Sequence, residues 1–307
     1  MSNLVAIQDK SHRSNLFSSQ RKFVFLSLTP ILTLFIIFSL LPIVLSLILA
    51  FYNYSPLNPN PPFVGFQNFI NLWSDQVFNK SFVNTIKFVI IAVSANLILA
   101  MMIAVSINKI TKKFVKNSFR TLYFLPTIAP LVAVSLIWAT MFDPNYGFLN
   151  MILGLFGKHT MIYWLTSDQL ALISVIIVTL WADLGYNIVI IMAGLDSIPK
   201  MFYEAACIDG ANRFHTFWKI TLPLLTRTIL FISVMTVISY FQVFTQVQVM
   251  TNGGPDYSSE VLAFTIYKYA FRFMKMGYAS AISVILLGII LVVSIFQLKM
   301  VRADWEY

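Results

Sequence analysis

Ionisable and amide side chains inside apolar segments are the residues of this chain best suited to chemistry. Asp183 lies about halfway along the apolar run 170–192, with Tyr186 and Asn187 one helical turn later on nearby faces. A polar residue inside a segment long enough to cross a membrane is costly, which makes it a candidate for a binding or transport site. Carboxylate and amide groups can hydrogen-bond a polar substrate, and aromatic rings can cover its apolar faces.

A second polar set lies in the apolar run 228–250. Gln242 and Gln246 are four residues apart, so a continuous helix turns both amides in one direction. Aromatic and hydroxyl groups adjoin them at Phe241 and Thr245, and also at Tyr240 and Phe244. We interpret both sets as candidates for lining a polar substrate pathway. The alternative is that they form hydrogen bonds between packed helices.

The most distinctive polar segment is the stretch 193–224, which separates these two apolar runs. Asp196 and Ser197 offer capping oxygens for a first short helix, and Pro199 suits its first turn. Gly210 suits a break after that helix, because glycine adopts the left-handed backbone conformation readily. The sequence therefore predicts a short helix followed by a turn.

A second short helix is predicted to begin at Asn212 and to end at Pro223, which cannot continue a helix comfortably. Four residues fall at i, i+3, i+4 and i+7 along it and predict one helical face; they are Phe214, Phe217, Trp218 and Thr221. In the first helix, the small side chains of Ala205 and Ala206 permit close approach of another helix. Glu204 and Asp209 place charge beside them.

The spacing within this polar segment is a recognisable motif. Glu204, Ala205 and Ala206 are followed by three residues and then Gly210, and later by Ile220, Leu222 and Pro223. This pattern resembles the cytoplasmic "EAA" loop of permease subunits in binding-protein-dependent ABC importers. The resemblance implies that the loop inserts into a cleft of a separate ATPase, where Glu204 pairs with a basic residue. The predicted coupling residues are Glu204, Ala205, Ala206, Asp209, Gly210 and Pro223. The alternative is a surface loop without a partner.

The composition identifies the chain as a polytopic membrane protein. Its 307 residues are 58% hydrophobic and 11% charged, and the apolar residues occur in runs instead of alternating. A helix needs about 20 apolar residues to cross a bilayer. We therefore predict an all-α fold with a cytoplasmic segment 1–22 and a six-span domain 23–307. The predicted spans are 23–52, 82–107, 121–142, 170–192, 228–250 and 276–298.

The basic residues predict which loops are cytoplasmic, because short cytoplasmic loops carry an excess of Lys and Arg. Arg21 and Lys22 precede the first span, and Lys299 and Arg302 follow the last, so both termini are predicted to be cytoplasmic. The densest basic cluster, Lys109, Lys112, Lys113, Lys116 and Arg120, follows the second span. This topology accounts for the net charge of +9 without any nucleic-acid partner.

One basic set falls on the outside in this topology. Lys268, Arg272 and Lys275 stand at i, i+4 and i+7, which predicts one stripe on a helix near the outer surface. We interpret this stripe as a solvated or snorkelling face. The alternative is a contact for an acidic docking partner.

Further segments resemble the sugar-type permeases of this family, such as those of maltose and glycerol-phosphate importers. The matching segments are 63–69, 124–126, 142–150, 251–255 and 277–281. The resemblance implies the type I ABC importer permease fold and a carbohydrate substrate, with the polar residues of spans four and five lining its site. It also implies four partners: a cytoplasmic ABC ATPase dimer, a second permease, an extracytoplasmic sugar-binding protein and the lipid bilayer of a bacterial or archaeal inner membrane. A homodimeric pore is the alternative to the second, different permease.

Several other activities find no support in the sequence. The chain has no ATP-binding motif, so ATP and Mg²⁺ are expected on the partner ATPase and no cofactor is expected here. The lone Cys207 and the scattered His12, His159 and His215 predict neither a metal site nor a catalytic cluster. An intramembrane hydrolase would need a paired nucleophile and base. The remaining alternative is a stand-alone channel or ion-coupled carrier that uses Asp183, although no internal repeat is visible.

Overall fold

The computed structural model describes residues 23–156 and 161–300 of the chain. Within them the chain forms helices joined by loops, with one isolated antiparallel bridge between Tyr52 and Phe63. Five helices are long and apolar enough to cross a membrane, and a bent helix pair gives a sixth crossing if it is counted as one span. The all-α, multi-span prediction is thus confirmed. The predicted segment 1–22 and the residues after 300 lie outside the described part.

The first three helices lead from the N-terminal span to the longest helix. They are α1 (Phe23–Leu49), α2 (Gln67–Ser74) and α3 (Gln76–Asn108). In α1 a π-helical turn at Ile36–Leu40 directly precedes the segment that holds Pro42, whose ring removes one backbone donor. The side chain of Asp75 caps α3 by accepting the backbone N–H groups of Val77 and Phe78.

The third span is sharply bent, which the sequence did not predict. Helix α4 (Lys113–Ile128) and helix α5 (Leu131–Met141) meet at an angle of 95°. Ala129 between them is extended, with φ −69° and ψ 140°. Pro130 explains this conformation, because a proline disfavours the helical region for the residue before it.

The middle of the chain consists of a short helix, a long span and two short helices. They are α6 (Phe148–Leu155), α7 (Ala171–Ser197), α8 (Lys200–Ile208) and α9 (213–224). We call residues 198–224 the helical loop. The end of the bundle that carries it is the loop end, and the opposite end is the far end.

The last part of the chain contains a second broken span. Helix α10 (Thr226–Phe241) ends before the short α11 (Thr245–Met250), and α12 (Leu262–Tyr267) then leads through a π-helical turn at Lys268–Arg272 to α13 (Met276–Met300).

The helices α3, α7 and α10 form the centre of the bundle, and α4 packs on α7. Ala100 and Ala104 of α3 are fully buried in the cluster near the loop end. At Gly185 of α7 an added Cβ would lie 1.9 Å from the carbonyl oxygen of Tyr123 on α4. Small residues at these positions allow close backbone approach, which is how helices associate in lipid.

Candidate functional site

The helical loop folds through local contacts. Gly210 connects its two helices with φ +71°, in the left-handed region where a side chain would be strained. The Asn212 side chain then caps α9 by accepting the backbone N–H of His215 at 2.8 Å. The predicted break at Gly210 and the predicted helix start at Asn212 are therefore confirmed.

One side of the helical loop faces the bundle and the other side is exposed. Ala206 is buried, and the hydroxyls of Tyr203 and Thr221 lie 3.2 Å apart between the two helices. Glu204 and Ala205 are exposed. The loop therefore presents the Glu-Ala face of α8 away from the bundle, while Phe202 and Tyr203 pack against the core cluster near the loop end.

A cleft of about 740 Å³ lies between the two helices of the loop. Predicted coupling residues line it, namely Ala205, Ala206, Asp209 and Gly210. His215 and Lys219 contribute from the opposite helix. The exposed hydrophobic side chains of Met201 and Ile208 lie on α8 itself. This combination of charge, small residues and exposed apolar groups suits contact with another protein.

Two expectations about the ends of the helical loop are wrong. Helix α7 continues to Ser197, so Asp196 and Ser197 do not cap α8; its N-cap is Pro199, without a side-chain hydrogen bond. Pro223 does not end α9, because the helical segment runs on to Leu224 after a π-helical turn.

The third wrong expectation is the single apolar face of α9. The π-helical turn Phe217–Thr221 changes the residue spacing, so the side chains diverge. Thr221 is buried, whereas Phe214 and Trp218 are exposed with their ring centroids 6.0 Å apart.

An ionic cluster at the base of the helical loop connects three helices. Asp196 of α7 accepts hydrogen bonds from Lys116 at 2.8 Å and from Arg120 at 3.3 Å, both on α4. Lys116 also donates to Asn108, at the end of α3, at 2.7 Å. The sequence assigned Lys116 and Arg120 only to a basic cytoplasmic cluster. Their partner is 80 residues from Lys116 along the chain, so no local spacing indicates it.

Asn187 belongs to a buried hydrogen-bond network between the central helices. Its side-chain amide donates to Asn96 of α3 at 2.6 Å and to Thr236 of α10 at 2.9 Å. Asn96 in turn donates to the Tyr240 hydroxyl at 2.8 Å. In this arrangement Asn187 joins helices, as the alternative interpretation of the intramembrane residues describes.

Asp183 and Tyr186 lie outside this network. Asp183 is half-buried. Among the residues that the structure describes, no side chain hydrogen-bonds or forms an ion pair with Asp183. Tyr186 is 43% exposed. These two side chains are therefore accessible polar groups on a span that is otherwise well packed.

The second predicted polar set is divided by the break in the fifth span. Helix α10 ends at Phe241, and Phe244 has φ −141° and ψ −57°, which interrupts the helix before Thr245. Gln242 is exposed, whereas Gln246 is buried. The expectation that both amides face one direction is wrong, because it requires a continuous helix.

The predicted basic stripe at the far end is also divided. Lys268 pairs with the fully buried Glu260 at 3.1 Å, and Arg272 donates to Asn252 at 3.1 Å. Burial raises the pKa of the Glu260 carboxyl, although the Lys268 ammonium opposes that shift. Lys275 follows a turn and points elsewhere, into a pocket described below. A single contact stripe is therefore absent from these three residues.

No three His, Cys, Asp or Glu side chains come together as a candidate metal site within residues 23–156 and 161–300.

The sequence also matches the model of a known protein family. A family model described as "Binding-protein-dependent transport system inner membrane component" matches residues 96–303. That range contains the helical loop and both intramembrane polar sets.

Individual relatives match over nearly the full chain. The probable ABC transporter permease protein YurN of Bacillus subtilis is 33% identical over 94% of this chain and 99% of its own length. The lactose transport system permease protein LacF of Rhizobium radiobacter is 33% identical over 90% of this chain and 93% of its own length.

A solved structure has the same fold. A chain of a bacterial alginate ABC transporter, in complex with an alginate pentasaccharide-bound periplasmic protein, superposes with a TM-score of 0.82. It is 24% identical, and the match covers 92% of this chain and 95% of that one.

Proposed function

The chain belongs to the family of binding-protein-dependent transport system inner membrane components, and we propose that it passes a carbohydrate through the membrane as a permease subunit of an ABC importer. An extracytoplasmic binding protein delivers the carbohydrate, and a separate ATPase dimer supplies the energy. ATP and Mg²⁺ bind to that ATPase, and this chain carries out no catalysis.

One observation carries the proposal: the helical loop presents Glu204 and Ala205 outward, while Phe202 and Tyr203 pack against the core of the bundle. A compact helix pair seated in a cleft of the ATPase transmits rigid-body motion, as packed elements do in switching transitions. The ionic cluster of Asp196, Lys116 and Arg120 ties the base of the loop to α4. Movement of the loop is thereby transferred to the spans.

The surface of α1 supports a second permease as partner. In the most apolar 18-residue stretch of α1 no residue is buried. In the corresponding stretches of the other four long apolar helices, 28% to 56% of the residues are buried. Helix α1 contacts the rest of the chain chiefly at the far end of the bundle, where it packs against α13 and where Asn68 holds the residues that follow it. Its free apolar surface suits packing against a second subunit as well as lipid.

A carbohydrate is the substrate class that the relatives and the side chains favour together. The relative LacF is a lactose permease. In this chain Asp183, Tyr186 and Gln242 offer a carboxylate, an aromatic ring and an amide that are not used by the buried network. These groups match the hydroxyls and the apolar faces of a sugar.

The proposed orientation places the loop end in the cytoplasm. Lys116, Arg120, Lys200, Arg213 and Lys219 all lie at that end, where the positive-inside rule expects them. The chain then lies in the cell (inner) membrane of a bacterium or archaeon, with both termini cytoplasmic and the far end outside.

The experiment is purification of the tagged chain from its native membrane, followed by reconstitution. We expect an ATPase and a second permease to co-purify, and ATP hydrolysis to rise when a sugar-loaded binding protein is added. Glu204→Lys is expected to abolish that rise. The matched control is Asp168→Lys, which reverses an exposed acidic residue at the far end.

A stand-alone carrier makes the opposite prediction. Broken spans such as α4–α5 and α10–α11 also occur in ion-coupled carriers. If the purified chain alone accumulates solute in vesicles against a gradient, and Asp183→Asn stops it, the importer proposal is wrong.

A further inference from the structure

A polar pocket of about 410 Å³ lies at the far end, away from the intramembrane polar residues. It forms where the segment after α1, helix α2 and the turn before α13 meet. Its lining includes the amides Asn53, Gln67 and Asn71 and the charged Asp75 and Lys275. The volume falls within the range of about 300–1,000 Å³ that small-molecule sites occupy.

One wall of the pocket is fixed by Asp75. Its carboxylate accepts hydrogen bonds from the hydroxyls of Tyr269 at 2.5 Å and Tyr278 at 2.8 Å, besides the two backbone N–H groups of α3. Burial alone would raise the pKa of Asp75, but these hydrogen bonds outweigh it and lower the pKa below its usual value. The two tyrosine rings stand 4.7 Å apart. The carboxylate and both rings are therefore held in place before any ligand arrives.

Another part of the pocket depends on a strained turn. Met274 has φ +55°, a left-handed conformation that is uncommon for a residue other than glycine. The next residue, Lys275, donates its backbone N–H to the carbonyl of Tyr269 at 2.8 Å. Its exposed ammonium reaches the pocket and has no ion-pair partner in the described part of the chain. Strain of this kind is concentrated at functional sites.

Three amide side chains leave hydrogen-bonding groups open to the pocket. Gln67 donates to the Asn71 oxygen at 2.8 Å, so the Gln67 oxygen and the Asn71 N–H₂ group stay available. Asn53 has no side-chain partner among the described residues. The neighbouring Asn68 has another role, because it donates to the carbonyls of Ala50 and Tyr52 and holds the end of α1.

Two of the family-like segments meet at this pocket. Segment 63–69 contributes Gln67, and segment 277–281 contributes Tyr278. The passage of a substrate past Asp183 and the contact of the helical loop with an ATPase involve neither segment. Part of each segment is structural, because Asn68 holds the end of α1 and Gly277 lies against the Tyr52 carbonyl, whereas Gln67 and Tyr278 line the pocket.

We propose that the far-end pocket is a second binding site, which holds a neutral carbohydrate of one or two sugar rings outside the membrane passage. Open donors and acceptors on three amides match sugar hydroxyls, and the Tyr269 and Tyr278 rings offer an apolar surface. The charges of Asp75 and Lys275 cancel, which favours a neutral ligand over an anionic one. The site rests on the proposed function for its ligand class and its orientation only.

The test is carbohydrate binding to the complete transporter in lipid nanodiscs, without binding protein and without nucleotide. Saturation-transfer NMR is recorded with a panel of neutral mono- and disaccharides that includes lactose and maltose, and with glycerol 3-phosphate as an anionic polyol. We expect at least one neutral sugar to bind, and its Kd to rise at least fivefold in Asn71→Ala and in Lys275→Gln. Both residues are exposed, so these variants are expected to fold.

Two controls separate this pocket from other effects. Asn60→Ala makes the same change as Asn71→Ala at an exposed position in the loop before α2, outside the pocket, and its Kd is expected to be unchanged. Asp183→Asn is expected to lower transport while leaving the pocket-dependent Kd unchanged.

Three results would overturn the inference. The first is that no sugar binds, or that both pocket variants bind like Asn60→Ala. The second is that only glycerol 3-phosphate depends on the pocket, which makes the ligand anionic. The third is that the variants change only the stimulation of ATP hydrolysis by binding protein, which makes the pocket a protein contact. Failure of the proposed function is distinct, because then no sugar-loaded binding protein stimulates ATP hydrolysis in the unmodified complex either.

Discussion

The helical loop and the intramembrane polar set are stabilised in different ways. The loop is one continuous segment, and its turn and cap depend on Gly210 and Asn212, whose partners are a few residues away. The intramembrane set comes from two spans, and packing divides it into Asn187, joined to two other helices, and Asp183, left accessible. A local unit can therefore project its side chains outward, whereas residues within the bundle are available only if no neighbouring helix binds them.

The largest effect is expected from a change to the backbone of the helical loop. Gly210→Val forces a β-branched residue into a left-handed conformation, at a cost of about 1–2 kcal/mol. A cost of this size weakens seating of the loop on the ATPase about tenfold. We expect substrate-stimulated ATP hydrolysis to fall by that factor while the spans insert normally.

The control for this change is Gly154→Val, because an added Cβ at Gly154 meets nothing within 4 Å. Equal ATP hydrolysis in the two variants would show that the helical loop does not depend on its turn. It would then not differ from the intramembrane polar set in being stabilised locally.

The next largest effect is expected at Asp183. Asp183→Asn keeps the size of the side chain and removes its charge, so a charged hydrogen bond to substrate, of about 1.5–3 kcal/mol, becomes a neutral one of about 1 kcal/mol. We expect uptake by reconstituted vesicles to fall several-fold with no change in the unfolding temperature. A lower unfolding temperature with unchanged uptake would place Asp183 with the structural residues instead.

Asn187 is expected to give the reverse result. Asn187→Leu leaves Asn96 and Thr236 without their partner and lowers the free energy of unfolding by about 1–2 kcal/mol. A thermal unfolding curve of the purified complex measures this change. Asn60→Leu, at an exposed position, serves as the control, and equal unfolding temperatures in both variants would contradict a structural role.

The smallest effect is expected at the base of the helical loop. Asp196→Asn weakens two partly exposed ion pairs, each contributing about 0–1 kcal/mol. We expect a small drop in unfolding temperature at low ionic strength that disappears in about 1 M salt, where charges are screened within about 3 Å. A drop that persists in high salt would mean that Asp196 acts through packing.

The sequence predicted the long straight helices well and the broken ones poorly. The run 82–107 lies within α3, and the predicted 276–298 lies within α13. The bend at Ala129 and the interruption after Phe241 were not predicted. Hydropathy detects an apolar run but not its direction, and a break inside such a run is tolerated only where neighbouring helices supply contacts.

Within the candidate sites, a hydrogen-bonded pair could be predicted only when its two residues are close together along the chain. The Asn212 cap has its partner three residues away, and the sequence predicted that a helix begins at Asn212. The partners of Asn187 are 91 and 49 residues away, and the tyrosine partners of Asp75 are 194 and 203 residues away. Residue spacing gives no signal for such pairs.

The sequence by itself determined the membrane class, the approximate spans and the two-helix loop, because apolar run length, turn residues and capping residues act over a few neighbouring residues. Only the tertiary structure decided which polar side chains are bound within the bundle and which stay accessible. The physical reason is that a buried amide must be satisfied by whatever helix packs against it, and the order of residues in one helix does not specify that neighbour.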